Sequence, residues 1–259
     1  MERSCRELGL IQSLCKAFEI LDCFTPETPM LRVADITKRV DMTQSNVSRL
    51  VNTMAACGYL ERVENIGCYR LGKRIVSLSS VALNHNELRK QALPELFDLE
   101  RQYGTGANLA ILHNDRMYYL AHVDSQQSPR MYTMVGYTNP LHCTAIGKVL
   151  LSAMKEAEIR TLLERTGMEV FTCHTISTPE ALLEQIAIVQ RRGYAAEYDE
   201  RTLGSACIAA PIRDHTGRIV AGLSLSGKFL GESLRSRELE TAAAVMEAAA
   251  RISNKLGYL

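Results

Sequence analysis

At 259 residues, with 30 Lys and Arg against 29 Asp and Glu, the chain has room for two ordinary domains and is too evenly charged for a uniformly basic nucleic-acid coat. Its eight cysteines contain no C-x-x-C pair and follow no basic-then-apolar leader, so reduced thiols and a cytoplasmic location are expected. No apolar run nears the roughly eighteen residues a bilayer crossing needs, and His113, His122, His142, His174 and His215 show no metal-ligand spacing, so no membrane, metal or other cofactor is expected.

The first predicted element is an amphipathic helix carrying Ile11, Leu14, Phe18 and Leu21, with Ser13 as a candidate cap. "TPETP", Thr25 to Pro29, is a loop, because two prolines within four residues do not fit a helix interior. A short helix over Val33 to Val40 follows, then a turn at Asp41 and Met42. Thr43 is positioned to cap a further helix that ends at Gly58. "YLERVENIGCYRLG" alternates on either side of "ENIG", which predicts a β-hairpin turning at Asn65 and Gly67. Helix, turn, helix and hairpin in this order make a winged helix-turn-helix. From Lys73 the pattern is helical again, interrupted at Pro94 and resumed to about Tyr103.

The remainder alternates strands and helices. Strands are predicted near Asn108 to Leu112, Met117 to Val123, Met131 to Val135, Ser205 to Ile212 and Ile219 to Ser226. Helices are predicted near Thr144 to Met154, Pro179 to Arg192 and Arg237 to Leu256, and "RDHTGR" is a hairpin turn between two strands. The fold class is α+β, with an antiparallel sheet and helices packed on it. The expected division is a winged helix-turn-helix domain over 1–72, a linker helix over 73–86, and an α+β domain over 87–259.

Function follows from where the charge and the hydrogen-bonding side chains fall. Between Arg32 and Arg74 eight basic residues face four acidic ones, a net +4 hidden by the chain average. In "TQSNVSRLVNTM", Val47, Leu50, Val51 and Met54 form one buried stripe, which leaves Gln44, Ser45, Asn46, Ser48, Arg49 and Asn52 outside it. Gln, Asn, Ser and Arg are the side chains that pair with base edges in a major groove, and Arg70, Lys73 and Arg74 at the hairpin are placed for phosphates. The expected partner is a double-stranded DNA operator, bound by a homodimer or a dimer of dimers because one such reader is a small interface.

In the rear domain Ser224 and Ser226 alternate with Leu223 and Leu225, so both hydroxyls share one face of a strand. The helix start at Thr144 to Gly147 offers backbone N–H groups to an anion. The alternative is a Cys-dependent enzyme acting on a small carboxylic acid, with Cys207 as nucleophile and His142 as base.

Five segments in order, "SLCKAFEILDCF", "VADITKRVDMTQSNVSRLVNTMAACGYLER" with "YRLG", "PLHCTAIGKVLL", "GYAAEYDERTLGSACIAAPIRD" and "GLSLSG", resemble the IclR-type bacterial transcriptional regulators along nearly the whole chain. The resemblance implies an N-terminal winged helix-turn-helix, a linker helix and a C-terminal GAF-like domain, with no catalysis. It places an effector pocket at Ala145, Ile146, Glu197, Ser205, Cys207, Ser224 and Ser226, for a small organic acid. Three positions depart from the family pattern. Asp41 stands where Gly is common in the turn and would tolerate a left-handed backbone. Thr43 replaces a frequent Pro, and Ser48 replaces a larger ring.

Overall fold

Val47, Val51 and Met54, at i, i+4 and i+7, are buried on one side of a helix, and the front of the chain is assembled against them. The computed structural model describes residues 9–125, 135–228 and 235–258. The chain divides into two units, Met1–Leu83 and Asn84–Leu259.

The front unit holds α1 (Gln12–Asp22), α2 (Val33–Thr37), α3 (Gln44–Ala56), the antiparallel hairpin β1 (Leu60–Val63) and β2 (Cys68–Leu71), and most of α4 (Lys73–Asn84). Its core joins Ile20, Leu31, Ile36, Val47, Val51, Leu60 and Tyr69. Thr43 caps α3, its hydroxyl accepting from the Asn46 N–H at 3.4 Å, and Gly58 follows with φ +78°. Leu31 exchanges backbone hydrogen bonds with Tyr69, adding a short third strand to the hairpin.

Several sequence expectations are corrected here. Ser13 lies inside α1, whose N-cap is Ile11 with no side-chain cap. Of the stripe predicted on α1, Leu21 packs against the core, whereas Ile11, Leu14 and Phe18 are turned outward, 70, 50 and 54 % exposed, because Ile20 and Cys23 are the residues the core buries. α2 stops at Thr37, and Arg39 folds back to donate to the Cys23 carbonyl and the Thr28 hydroxyl, both at 2.9 Å. Asp41 is not among the positive-φ residues, so that turn makes no left-handed demand on it. The long helix breaks at His85 rather than Pro94. Asn86 caps α5 (Glu87–Tyr103), accepting from the Arg89 N–H at 2.9 Å, and Pro94 is carried inside α5, where buried Ala92, Leu96 and Leu99 hold the helix through one missing hydrogen bond.

The rear unit is built on a six-stranded antiparallel sheet: β3 (Gly106–His113), β4 (Arg116–Val123), β5 (Thr138–Asn139), β6 (Ala195–Tyr198), β7 (Ser205–Arg213) and β8 (Ile219–Lys228), in the order β5-β4-β3-β8-β7-β6. Along β8, Leu223 and Leu225 face α5 and α9 (Glu238–Lys255), with Leu109, Ala121, Ala210 and Ile212 beside them. The opposite face takes α6 (Ala145–Leu151), backed by α7 (Glu156–Thr166) and α8 (Pro179–Arg192). Glu95 of α5 is buried and receives Arg251 at 2.9 Å and Lys255 at 3.1 Å from α9, tying the two helices together. The predicted β7–β8 turn is organised by Asp214, whose Oδ1 accepts the N–H groups of Thr216 and Arg218.

Two glycines let α6 lie against its surroundings. A Cβ on Gly147 would sit 2.1 Å from the Leu141 carbonyl oxygen, and one on Gly222 would sit 2.7 Å from Ile146 Cγ2. The segments α7, β5 and β6 have no counterpart in the sequence expectations. Of the strand predicted at Met131 to Val135, residues 131–134 lie outside the described residues and Val135 is in a turn.

Candidate functional site

On α3, Ser45, Arg49 and Asn52 fall at i, i+4 and i+7 on the side opposite Val47 and Val51, and all three are exposed, as are Gln44 and Asn46. Ser48 is half-buried at the edge of this face. Asn52 is partly committed, because the Tyr69 hydroxyl donates to its Oδ1 at 3.2 Å, linking α3 to the hairpin. Arg70 is held in a two-pronged pair with Glu61 across the hairpin, at 3.2 and 3.0 Å. A guanidinium so engaged must compete its carboxylate away to meet a phosphate. Arg62, Lys73 and Arg74 are exposed on the same unit.

In the rear unit the sheet register gathers polar residues on the face toward α6. Residues directly opposite across a ladder share a face. Glu197 pairs with Cys207, Cys207 with Ser226, Ser224 with Asn108, and Asn108 with His122. Asn108, only 2 % exposed, directs its Nδ2 to Ser226 Oγ at 2.9 Å and to Ser224 Oγ at 3.3 Å, while its Oδ1 meets His122 Nδ1 at 2.8 Å. Burial pushes the Cys207 thiol up to about 12, with Glu197 adding to the rise and the neighbouring Ser224 hydroxyl and Ala145 backbone opposing it. Of the N–H groups expected to be free at the start of α6, that of Gly147 is taken by the Thr144 hydroxyl at 3.2 Å.

A second polar cluster adjoins the row. Lys148 of α6, 1 % exposed, forms a buried ion pair with Glu200 Oε1, and Glu200 Oε2 has no partner among the described residues. Glu197 Oε1 accepts the N–H groups of Glu200 at 2.6 Å and of Arg201 at 3.3 Å. Burial nevertheless pushes the Glu197 carboxyl up to about 7, and Glu200 adds to the rise. A carboxyl raised in the folded state supports folding fully below its ordinary value of 4.5, and that support is lost as pH climbs through about 7. Glu197→Gln should therefore flatten the stability profile, gaining on the native chain by on the order of 3 kcal/mol between pH 5 and pH 8. Urea denaturation of both proteins at the two pH values checks this, and parallel profiles would contradict it.

A helix with an outward polar edge, followed in the same chain by a sheet with a buried polar row, matches known proteins in both halves. The bacterial transcriptional regulator IclR C-terminal model matches residues 80–254, and the IclR helix-turn-helix domain matches residues 13–64. The chain belongs to the IclR family of bacterial transcriptional regulators. It is 34% identical to the HTH-type transcriptional regulator KdgR of Escherichia coli K12 over 248 residues, 96% of this chain and 94% of that protein. Its fold is similar to IclR of Thermotoga maritima, with a TM-score of 0.78 at 29% identity, over 95% of this chain and 99% of that one. It is also similar to an IclR homolog from Microbacterium hydrocarbonoxydans complexed with 4-hydroxybenzoate, with a TM-score of 0.83 at 26% identity, over 95% and 99% of the two chains.

Within this IclR-type frame, the structure brings Glu197, Cys207, Ser224 and Ser226 together and sets the other predicted effector residues apart by role. Ile146 packs on Gly222, and Ala145 supplies backbone to Cys207. The Ser205 hydroxyl is spent on the Thr202 carbonyl at 2.6 Å. Asn108 and His122 were missed, although each is the polar interruption in an apolar strand, "GANLAIL" and "YYLAHV". The pair required by the Cys-dependent enzyme reading is not assembled. His142 Nε2 is bound to the Glu169 carbonyl at 3.0 Å, and the Cys207 thiol is stabilised in its protonated form. Relatives of this chain in the family are transcriptional regulators. Among the described residues no helix is long and apolar enough to cross a membrane, and no group of His, Cys, Asp and Glu is arranged to hold a metal ion.

Proposed function

We propose that this IclR-family regulator reads an operator with the outward edge of α3 and that a small organic acid, held on the polar row of the rear unit, changes its operator affinity. The observation that carries the DNA half is the exposure of Gln44, Ser45 and Arg49 on a helix whose opposite side is anchored by Val47, Val51 and Met54. Gln44 and Arg49 supply paired donors and acceptors for base edges, and Ser45 and Asn46 lie at the helix start, which enters the groove first. Asn52, with its Oδ1 engaged by Tyr69, offers its amide N–H groups. Ser48 serves as a spacer at the groove edge, and Arg70 contributes phosphate affinity only after releasing Glu61.

Domains over 1–72 and 87–259, joined by a linker over 73–86, suit this division of labour. A homodimer or dimer of dimers fits the outward apolar residues Leu14 and Phe18 of α1 and Val76 and Val81 of α4, the last two 70 and 60 % exposed. A cytoplasmic setting fits a DNA-binding chain whose cysteines are free among the described residues. Coupling of about 1–3 kcal/mol between effector and operator would change affinity roughly 5–150-fold.

Arg49→Ala and Gln44→Ala are each expected to weaken specific operator binding by about 1–3 kcal/mol without loss of folding. A fluorescence titration at fixed salt against operator and scrambled duplexes measures this. Unchanged discrimination in both variants would remove α3 as the reader.

A further inference from the structure

The row described above contains a chain of hydrogen bonds whose direction is set at one end. His122 Nδ1 lies 2.8 Å from Asn108 Oδ1, an atom that can only accept, so this orientation of the Asn108 amide requires a proton on Nδ1. Burial lowers the His122 pKa and favours the neutral ring, opposed by the Asp124 carboxylate 3.7 Å from Nε2 and by the Ala107 backbone; either form with a proton on Nδ1 satisfies Asn108. With Oδ1 so occupied, Asn108 turns its two N–H donors on Ser224 and Ser226. A hydroxyl that accepts from Asn108 points its own proton elsewhere. Ser224 and Ser226, two residues apart on one face of β8, so each keep a proton to give, and the chain ends in two hydroxyl donors beside Cys207, the cross-strand partner of Ser226.

We infer that Asn108, clamped by His122, is the positioning residue that makes this row a donor surface and so selects a carboxylate over its neutral amide. The inference rests on the effector reading for the identity of the ligand, but the direction of the hydrogen-bond chain does not. A flipped Asn108 would present Oδ1 to both serines, draw their protons in, and leave only lone pairs facing outward. The same residues would then repel an anion.

The first test needs no ligand. In the full-length protein labelled with ¹⁵N-histidine, the His122 resonance, assigned by its loss in His122→Gln, is expected to show Nδ1 protonated at neutral pH. A ring protonated on Nε2 alone overturns the inference, whatever the protein binds. The second test is calorimetric titration with 4-hydroxybenzoate and with pyruvate, each beside its primary amide. Asn108→Asp, which can only accept from the serines and adds a negative charge, is expected to lose at least a hundredfold in affinity for an acid the native chain binds. Asn108→Ala, which leaves the hydroxyls free to turn, should lose about tenfold. Acid affinity undiminished in Asn108→Asp overturns the inference. Should Asn108→Asp fail to fold, Ser226→Ala takes its place, with a loss of about tenfold expected and full retention counting against the inference. If neither acid binds the native chain while Nδ1 is protonated, the hydrogen-bond direction stands and the small-acid effector reading is the part that fails.

Discussion

Exchanging Lys148 for Met should lower the stability of the rear unit by about 3–5 kcal/mol. The ammonium is 1 % exposed and meets Glu200 alone among the acidic side chains in the salt bridges described. Removing it leaves Glu200 with neither oxygen paired to a cation, in a site where burial already raises its carboxyl above the ordinary value and Lys148 is the chief force opposing that rise. Most of the loss comes from stranding the acid rather than from the value of the pair itself. Lys148→Met combined with Glu200→Gln is therefore expected to recover a large part of it. Urea denaturation of the single and double variants measures the coupling. A double variant no more stable than Lys148→Met would show that Lys148 acts through packing.

Gly147→Ala is the second large effect, about 3 kcal/mol or more of destabilisation. Its added methyl would stand 2.1 Å from a backbone oxygen, an approach no rotamer change relieves, so either α6 or the Leu141 turn must move. Movement of α6 also displaces Ile146, which packs on Gly222 of β8 beside the polar row. The variant should lose effector response along with stability. Melting temperature and effector-dependent operator binding, measured together, check both parts. A native melting point would mean that the turn yields freely.

Much of the architecture was legible because it depends on periodicity and punctuation. The α3 stripe, the Thr43 cap, the turn at Gly67 and the Ser224/Ser226 alternation each follow from local spacing, and each is present. What failed depends on competition between local choices. Pro94 is a strong break signal, yet the burial of Ala92, Leu96 and Leu99 carries α5 through it, and the weaker signal at Asn86 ends up dividing the helices. On α1, Leu14 and Phe18 make as good a stripe as Ile20 with Cys23, and sequence alone could not say which the core would use. The site was legible only in part for a related reason. Ser224, Ser226 and Cys207 come from recognisable segments, whereas Asn108 and His122 matter because two strands distant in the chain align on them, and register of that kind is written in no single segment.

The tie between Tyr69 and Asn52 bears on how such a reader can change its target. With the hairpin linked to α3 by the Tyr69 phenol as well as by their shared core, a substitution at the hairpin would reorient Asn52 on the edge proposed to face bases, even when no hairpin atom touches one. New operator preferences can thus arise from positions behind the reading surface, and swapping α3 alone into a sister protein would import its alphabet without the hand that holds it.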